Sequence, residues 1–176
     1  ILPDTHFKKV IPLGVLILII LFSFSSYLFV SSESVNSHEQ ISLLIADFDN
    51  QSGENELDGL SGILNTSLEQ SEELNVLTRS QIYDILKQLG ITDVDSVDEI
   101  LGRKICEKAN INILLIPSIR KLGTTYLLNL KVVDLLKQEY IHIDNVQCQN
   151  QQNIHAMIDQ LSVGILDALN KNGHHI

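Results

Sequence analysis

The sequence has no tryptophan and is poor in the other residues that stack against bases or sugars, with five Phe and four Tyr among 176 residues. Basic residues are also scarce, since twelve Lys and Arg stand against twenty-two Asp and Glu, giving a net charge of −10. Binding to phosphates requires a concentrated basic face. These shortages therefore argue against a nucleic-acid partner and against a carbohydrate-stacking platform.

Cysteine is equally scarce, because only Cys106 and Cys148 occur. Cys106 falls on a predicted helix and Cys148 at the end of a predicted strand. In an oxidising compartment the two could form one disulfide, and otherwise they are two small buried hydrophobic side chains. Both alternatives stay open at the level of the sequence. No lipobox-type cysteine follows the hydrophobic run near the N-terminus, which argues against a lipoprotein.

Motifs for catalysis and for phosphate or metal binding are missing or incomplete. There is no Gly-Lys-Ser/Thr phosphate loop and no G-x-G-x-x-G fingerprint. The run Gly59-Leu60-Ser61-Gly62 fails as a nucleophile elbow because Ile63 stands where a glycine is required. The acidic loop over residues 47–58 fails as a calcium loop because Gly53 falls one position late. We therefore predict no catalytic residue, no metal and no cofactor, and a protein that is not an enzyme.

Four residues of types that bind zinc come close together near the C-terminus: His142, Asp144, Cys148 and His155. On a strand, His142 and Asp144 would share one face while Ile141 and Ile143 share the other. This alternation is typical of a half-buried edge strand. We interpret His142 and Asp144 as part of a solvated polar face rather than as metal ligands.

The sequence does contain one long hydrophobic run, Val10–Val30, without a charged side chain. As a helix it would be about 31 Å long, which matches a hydrocarbon core of about 30 Å. Lys8 and Lys9 precede it, so the positive-inside bias predicts that residues 1–9 are cytoplasmic and that the large domain lies outside the cytoplasm. A cleaved signal peptide is the alternative, but the run is longer than the usual apolar region of such peptides.

These features predict four regions along the chain. Residues 1–9 form a short cytoplasmic segment, residues 10–30 a transmembrane helix and signal anchor, residues 31–40 a polar linker, and residues 41–172 a periplasmic or extracellular domain. Because the chain starts at Ile1 rather than Met, we expect a fragment whose upstream, cytoplasmic part is missing.

Apolar periodicity predicts an α/β fold class with one mixed-sheet domain after the linker. Strands are expected at Ile41–Phe48, Asn75–Thr78, Ile111–Ile119, Tyr126–Val133 and Tyr140–Val146. Helices are expected over Leu57–Ser71, from Ser80 to Gly90, from Ser96 to Ala109, and from Asn153 to Gly173. The predicted order is β-α-β-α-α-β-β-β-α. Parallel pairing is expected in the opening βαβ unit, and an antiparallel meander in the last three strands.

Two segments carry a resemblance to a known family. ISLLIADFDNQSGENELDGLSGILNTSLEQSEELNVLTRSQIYDIL resembles the opening of the TolB amino-terminal-like domains, in which "ADF-N-TG" leads to "DG-L---L---LEQS--LNVL". LLIPSIRKLGTTYLLNLKVVD and the closing helix resemble a later segment of the same group. The resemblance covers most of Ile41 to Leu169.

The resemblance implies a function as well as a fold. Such domains occur outside a single membrane span in bacterial receptor-type serine/threonine kinases and winged-helix regulators, often followed by tetratricopeptide repeats, and related folds serve in envelope assembly. We therefore expect a non-catalytic sensing or protein-binding module, part of a larger signalling receptor. The alternative is an envelope-assembly or structural protein. Expected partners are the membrane, through one helix, and other envelope proteins or tetratricopeptide-repeat segments.

Open α/β sheets bind ligands outside the carboxyl ends of their strands. The loop after the first predicted strand is therefore the expected contact surface. Its candidate residues are Asp47, Asp49, Asn50, Gly53 and Asp58.

Overall fold

The computed structural model describes residues 40–173. No helix in this part of the chain is both long enough and apolar enough to cross a membrane. The predicted transmembrane helix over residues 10–30 lies outside the described residues. The predicted fold class is corrected accordingly: the structure supports a single mixed α/β domain, and neither a signal anchor nor a single-pass placement in the inner membrane is shown.

The domain contains six strands and four helices within the described range. The strands are β1 (Ile41–Ile45), β2 (Asp49–Gln51), β3 (Leu74–Val76), β4 (Ile113–Leu122), β5 (Thr125–Asp134) and β6 (Glu139–Cys148). The helices are α1 (Leu60–Glu69), α2 (Arg79–Gln88), α3 (Glu99–Ala109) and α4 (Ile154–Lys171). Short 3₁₀ turns at Asn55–Gly59 and Gln151–Asn153 precede α1 and α4. The observed order adds one short strand, β2, to the predicted one.

All six strands belong to one sheet with the order β3-β1-β4-β5-β6, and β2 continues beside β4 where β1 has ended. β1 pairs in parallel with both β3 and β4, whereas β4, β5 and β6 form an antiparallel meander. The predicted parallel pairing of the first strands and the predicted antiparallel meander of the last three strands are therefore confirmed. A β-bulge between the partners of Val132 and Val133 distorts β6.

The two faces of the sheet are covered to different extents. One face carries the larger core, in which α1 and α4 bury Leu64, Leu68 and Leu161 against strands from β3 to β6. On the other face α2 and α3 bury Ile82 and Ile105 against β1 and β4. The outer part of this second face, on β5 and β6, has no helix over it in the described structure. Its side chains are exposed or half-buried.

A gap between β1 and β2 opens the sheet at its centre. The last pair of β1 with β4 is Ile45 with Leu115, and the first pair of β2 is Asp49 with Ser118. The Ala46 N–H still donates to the Leu115 carbonyl. Because backbone groups alternate between the two edges of a strand, Pro117 turns its nitrogen towards this gap, where no hydrogen bond is needed. The break accommodates the proline and sends residues 46–48 out of the sheet.

Candidate functional site

A cleft of about 760 Å³ lies where β1 has ended. Its wall is formed by the β1–β2 segment and the start of α3, and its floor by the uncovered face of β4, β5 and β6. The floor residues used below are Ile116, Ser118, Arg120, Asn129, Lys131 and Ile143.

Asp47 holds the wall of the cleft together. Its carboxylate pairs with the Arg79 guanidinium at the start of α2, and accepts a hydrogen bond from the Val97 N–H at 2.8 Å. The Asp47 N–H in turn donates to the Val97 carbonyl at 2.8 Å. Partial burial acts to raise the pKa of Asp47, but the hydrogen bonds from Arg79 and Val97 outweigh it and hold that pKa below its usual value. Asp47 therefore fixes the segment before α3 to the end of β1.

Asn50 organises the loop between β2 and α1. Its side-chain oxygen accepts from the N–H and hydroxyl of Ser52, at 3.0 and 2.6 Å. Its amide nitrogen donates to the Glu54 carbonyl at 2.9 Å and to the Asp58 carboxylate at 2.6 Å. Gly53 has φ +78°, a left-handed conformation that strains any residue with a Cβ. This turn keeps Asp58 on the rim of the cleft.

Glu54 ties the same loop to the β4–β5 hairpin. Its carboxylate accepts hydrogen bonds from Lys121 Nζ at 2.5 Å and from the Tyr126 hydroxyl at 2.8 and 3.0 Å. These hydrogen bonds, that from Lys121 foremost, lower the pKa of Glu54. The loop between β2 and α1 is therefore held by the hydrogen bonds of Asn50 on one side and by those of Glu54 to the β4–β5 hairpin on the other.

The start of α3 supplies the rest of the wall. Asp98 is the N-cap residue, and its carboxylate accepts from the Leu101 N–H at 2.8 Å. Glu99 pairs with Arg103 one turn further along, at 2.7 Å. Carboxylates at a helix N-terminus are stabilised by the helix dipole, so these acids need no further partner.

The floor of the cleft is a row of polar side chains with apolar flanks. Ser118 lies between Asp49 on β2 and Asn129 on β5 in the strand register. Lys131 lies over the Tyr140 ring, 5.5 Å from its centroid, and its β6 neighbour Ile143 is 56% exposed. The open sheet face therefore presents an exposed isoleucine directly beside a cation.

The structure brings most of the predicted contact residues together. Asp47, Asp49, Asn50 and Asp58 line the cleft, whereas Gly53 only shapes the turn behind it. That they contact a partner stays a prediction. The sequence reasoning missed the floor, which the alternation of Arg120, Asn129 and Lys131 with buried neighbours could have indicated.

The structure also places the catalytic and metal candidates that the sequence analysis dismissed. Ser61 is buried, and its hydroxyl accepts the Phe48 N–H at 3.0 Å. His142 and Asp144 do not form a solvated face as predicted. They are half-buried beside Gly164 of α4, with 3.9 Å between His142 Nε2 and Asp144 Oδ2. The predicted orientation is wrong because α4 covers this face of β6 and leaves the opposite face, with Ile143, open.

Both cysteines are free, and they lie on opposite faces of the sheet. Cys106 is enclosed by α3 and its neighbours, and burial raises its pKa to about 12. Cys148 packs at the edge of the larger core and lies 3.0 Å from the Asn150 carbonyl oxygen. The structure thus corrects the disulfide alternative, because the sheet separates the two thiols.

No group of three or more His, Cys, Asp or Glu side chains within residues 40–173 is arranged to hold a metal ion.

Comparison with known proteins shows a fold but no family. No protein-family model and no curated protein sequence matches the chain. Among solved structures, it is similar to the LpoB C-terminal domain from Escherichia coli, with a TM-score of 0.56 and 14% identity over 70% of this chain and 93% of that one. It is also similar to lipoprotein GNA1162 from Neisseria meningitidis, with a TM-score of 0.52 and 16% identity over 72% and 96% of the two chains.

These likenesses correct the sequence-based interpretation in one respect. They support a fold like that of the LpoB C-terminal domain and of lipoprotein GNA1162. They give no support to a kinase or winged-helix context or to signal transduction. The signalling-receptor prediction is therefore not supported.

Proposed function

We propose that this chain is a non-catalytic, envelope-associated protein-binding module that serves as an assembly or structural component. The cleft beside β1 is its contact surface. The observation that carries the proposal is the cleft floor, a sheet face that nothing within residues 40–173 covers, on which polar side chains without a partner in that range and one exposed isoleucine lie behind the wall. An envelope location is supported by the fold likeness to a lipoprotein and by the resemblance to domains used in envelope assembly.

A rigid wall favours binding over catalysis. Asp47, Asn50 and Glu54 each hold the wall through two or more hydrogen bonds within the chain. Their polar atoms are therefore occupied by the fold rather than aimed at a reacting group. A preorganised surface loses little conformational entropy when a partner binds.

Site-specific photo-cross-linking in intact cells tests this function. A benzophenone amino acid at Asn129, on the cleft floor, should give one discrete adduct with another envelope protein. The same amino acid at Lys87, exposed on α2 and away from the cleft, should give none. An assembly component should give this adduct under every growth condition. An adduct from both positions, or from neither, would contradict the proposal.

A further inference from the structure

Arg120 differs from the other charged residues of the cleft in having no bonding partner within the described residues. The lining acids each accept a hydrogen bond from the chain itself: Asp47 from Arg79, Asp49 from Gln51, Asp58 from Asn50, Asp98 from Leu101 and Glu99 from Arg103. Lys131 contacts the Tyr140 ring. The five guanidinium donors of Arg120 are thus available to a partner.

The position of Arg120 defines what can reach it. It lies exposed on β4, between Gln51 of β2 and Leu127 of β5 in the strand register. Ile116 lies on the same face of β4 four residues earlier, which is about 13 Å along a strand. Across the sheet from Ile116, Lys131 and the exposed Ile143 complete a row. Arg120 and this row, in which Lys131 separates the two isoleucines, therefore lie about one four-residue strand length apart.

The acidic wall limits the partner to a single negative group. Asp49, Asp58 and Asp98 accept hydrogen bonds only from uncharged groups, so their negative charges persist beside the floor. A polyanion such as a nucleic acid or an anionic membrane would be repelled by them. A single carboxylate can still bind the planar fork of an arginine through two parallel hydrogen bonds.

We infer that Arg120 anchors an extended segment of a partner protein by one carboxylate. The apolar side chain four residues away in that segment lies over the row formed by Ile116, Lys131 and Ile143. This inference rests on the proposed function and names the chemistry of its partner. Arginine is enriched among residues that dominate binding energy, which fits the anchoring role.

Selection from a phage library of random twelve-residue peptides tests the inference. The full chain is immobilised in mild detergent, because residues 10–30 carry no charge. We expect the selected peptides to share one Asp or Glu with an apolar residue about four positions away. Arg120→Gln should weaken the best peptide by about tenfold to a hundredfold. Replacing the peptide's own carboxylate by its amide should weaken binding to a similar extent in the wild type and have little effect in Arg120→Gln.

Two variants make the outcome decisive. Arg120→Glu should change the selected residue from acidic to basic, whereas Lys87→Gln, which removes an exposed charge on α2, should leave the selection unchanged. Because Arg120 is exposed and unpaired, thermal unfolding of its variants should match the wild type. Peptides selected without a carboxylate, or equally by Arg120→Glu, would overturn the role of Arg120 while leaving protein binding intact. If no peptide is selected although the Asn129 photo-adduct still forms, an extended segment is excluded as the partner.

Discussion

At the scale of single residues, Asp47 decides how the cleft wall is built. Its carboxylate joins the end of β1 to Arg79 and to the Val97 N–H, two elements distant in sequence. Because it accepts these hydrogen bonds when ionised, the folded state favours the charged form, and the pKa of Asp47 is lowered from 3.8. A group whose pKa is lowered on folding stabilises the protein above its unfolded-state pKa and loses that effect as the pH falls through its folded-state pKa.

Asp47→Asn should therefore lower the free energy of unfolding at pH 7 by about 1–2 kcal/mol, since a charge-assisted hydrogen bond and a half-exposed ion pair are lost. The deficit should shrink as the pH falls below about 4, because Asp47 is then protonated first in the unfolded state, and it should vanish at the lower pH at which the folded-state carboxylate is protonated too. Denaturant unfolding across pH 3 to 7 measures this difference. Asp49→Asn is the matched control, since Asp49 is exposed, and it should stay within about 0.5 kcal/mol of the wild type. A deficit for Asp47→Asn that is the same at pH 3 and pH 7 would argue against the ion pair.

At the scale of elements, the distance between α3 and the sheet is set by Gly102. A Cβ at this position would lie 3.0 Å from Leu114 Cδ1, and Leu114 is fully buried, so the side chain would have to shift within a packed core. A Cβ at Gly62 would instead have no neighbouring atom within 4 Å, so the close approach occurs at α3.

Gly102→Ala should destabilise the domain by about 1–3 kcal/mol through overpacking. Gly62→Ala, also within a helix but free of neighbours, should stabilise it by about 0.5–1 kcal/mol because alanine has the better helix propensity. Chemical denaturation of both variants provides the comparison. Equal changes in the free energy of unfolding of the two variants would contradict the close packing of α3 on Leu114.

At the starts of α2 and α3, the sequence pattern predicted the wrong first residues. The second helix was expected to begin at Ser80 and the third at Ser96, which would make these serines the capping residues. The structure instead uses Thr78 with Gln81, and Asp98 with the Leu101 N–H. Each of these segments offers several polar residues of similar capping strength, so local pattern alone cannot decide between them. The positions of the helices nevertheless follow from their apolar spacing.

At the scale of the whole domain, the order of strands and helices could be predicted from the sequence because each core strand is a compact apolar run. β2 was missed, since Asp49–Gln51 is wholly polar and becomes a strand only by pairing with β4. The contact loop was predicted from the position of its residues after β1. The cleft floor was not, because the sequence does not reveal that α2 and α3 cover only β1 and β4 and leave β5 and β6 open.

The most direct test of the protein-binding cleft is the size of the native complex in gently solubilised envelopes, measured by native electrophoresis. Asn129→Trp places a large side chain on the cleft floor, and Lys87→Trp places the same side chain on exposed α2. We predict that the wild type and Lys87→Trp migrate in one large complex and that Asn129→Trp migrates as the free chain. A complex that persists in Asn129→Trp, or a wild type that migrates alone, would contradict the role of the cleft.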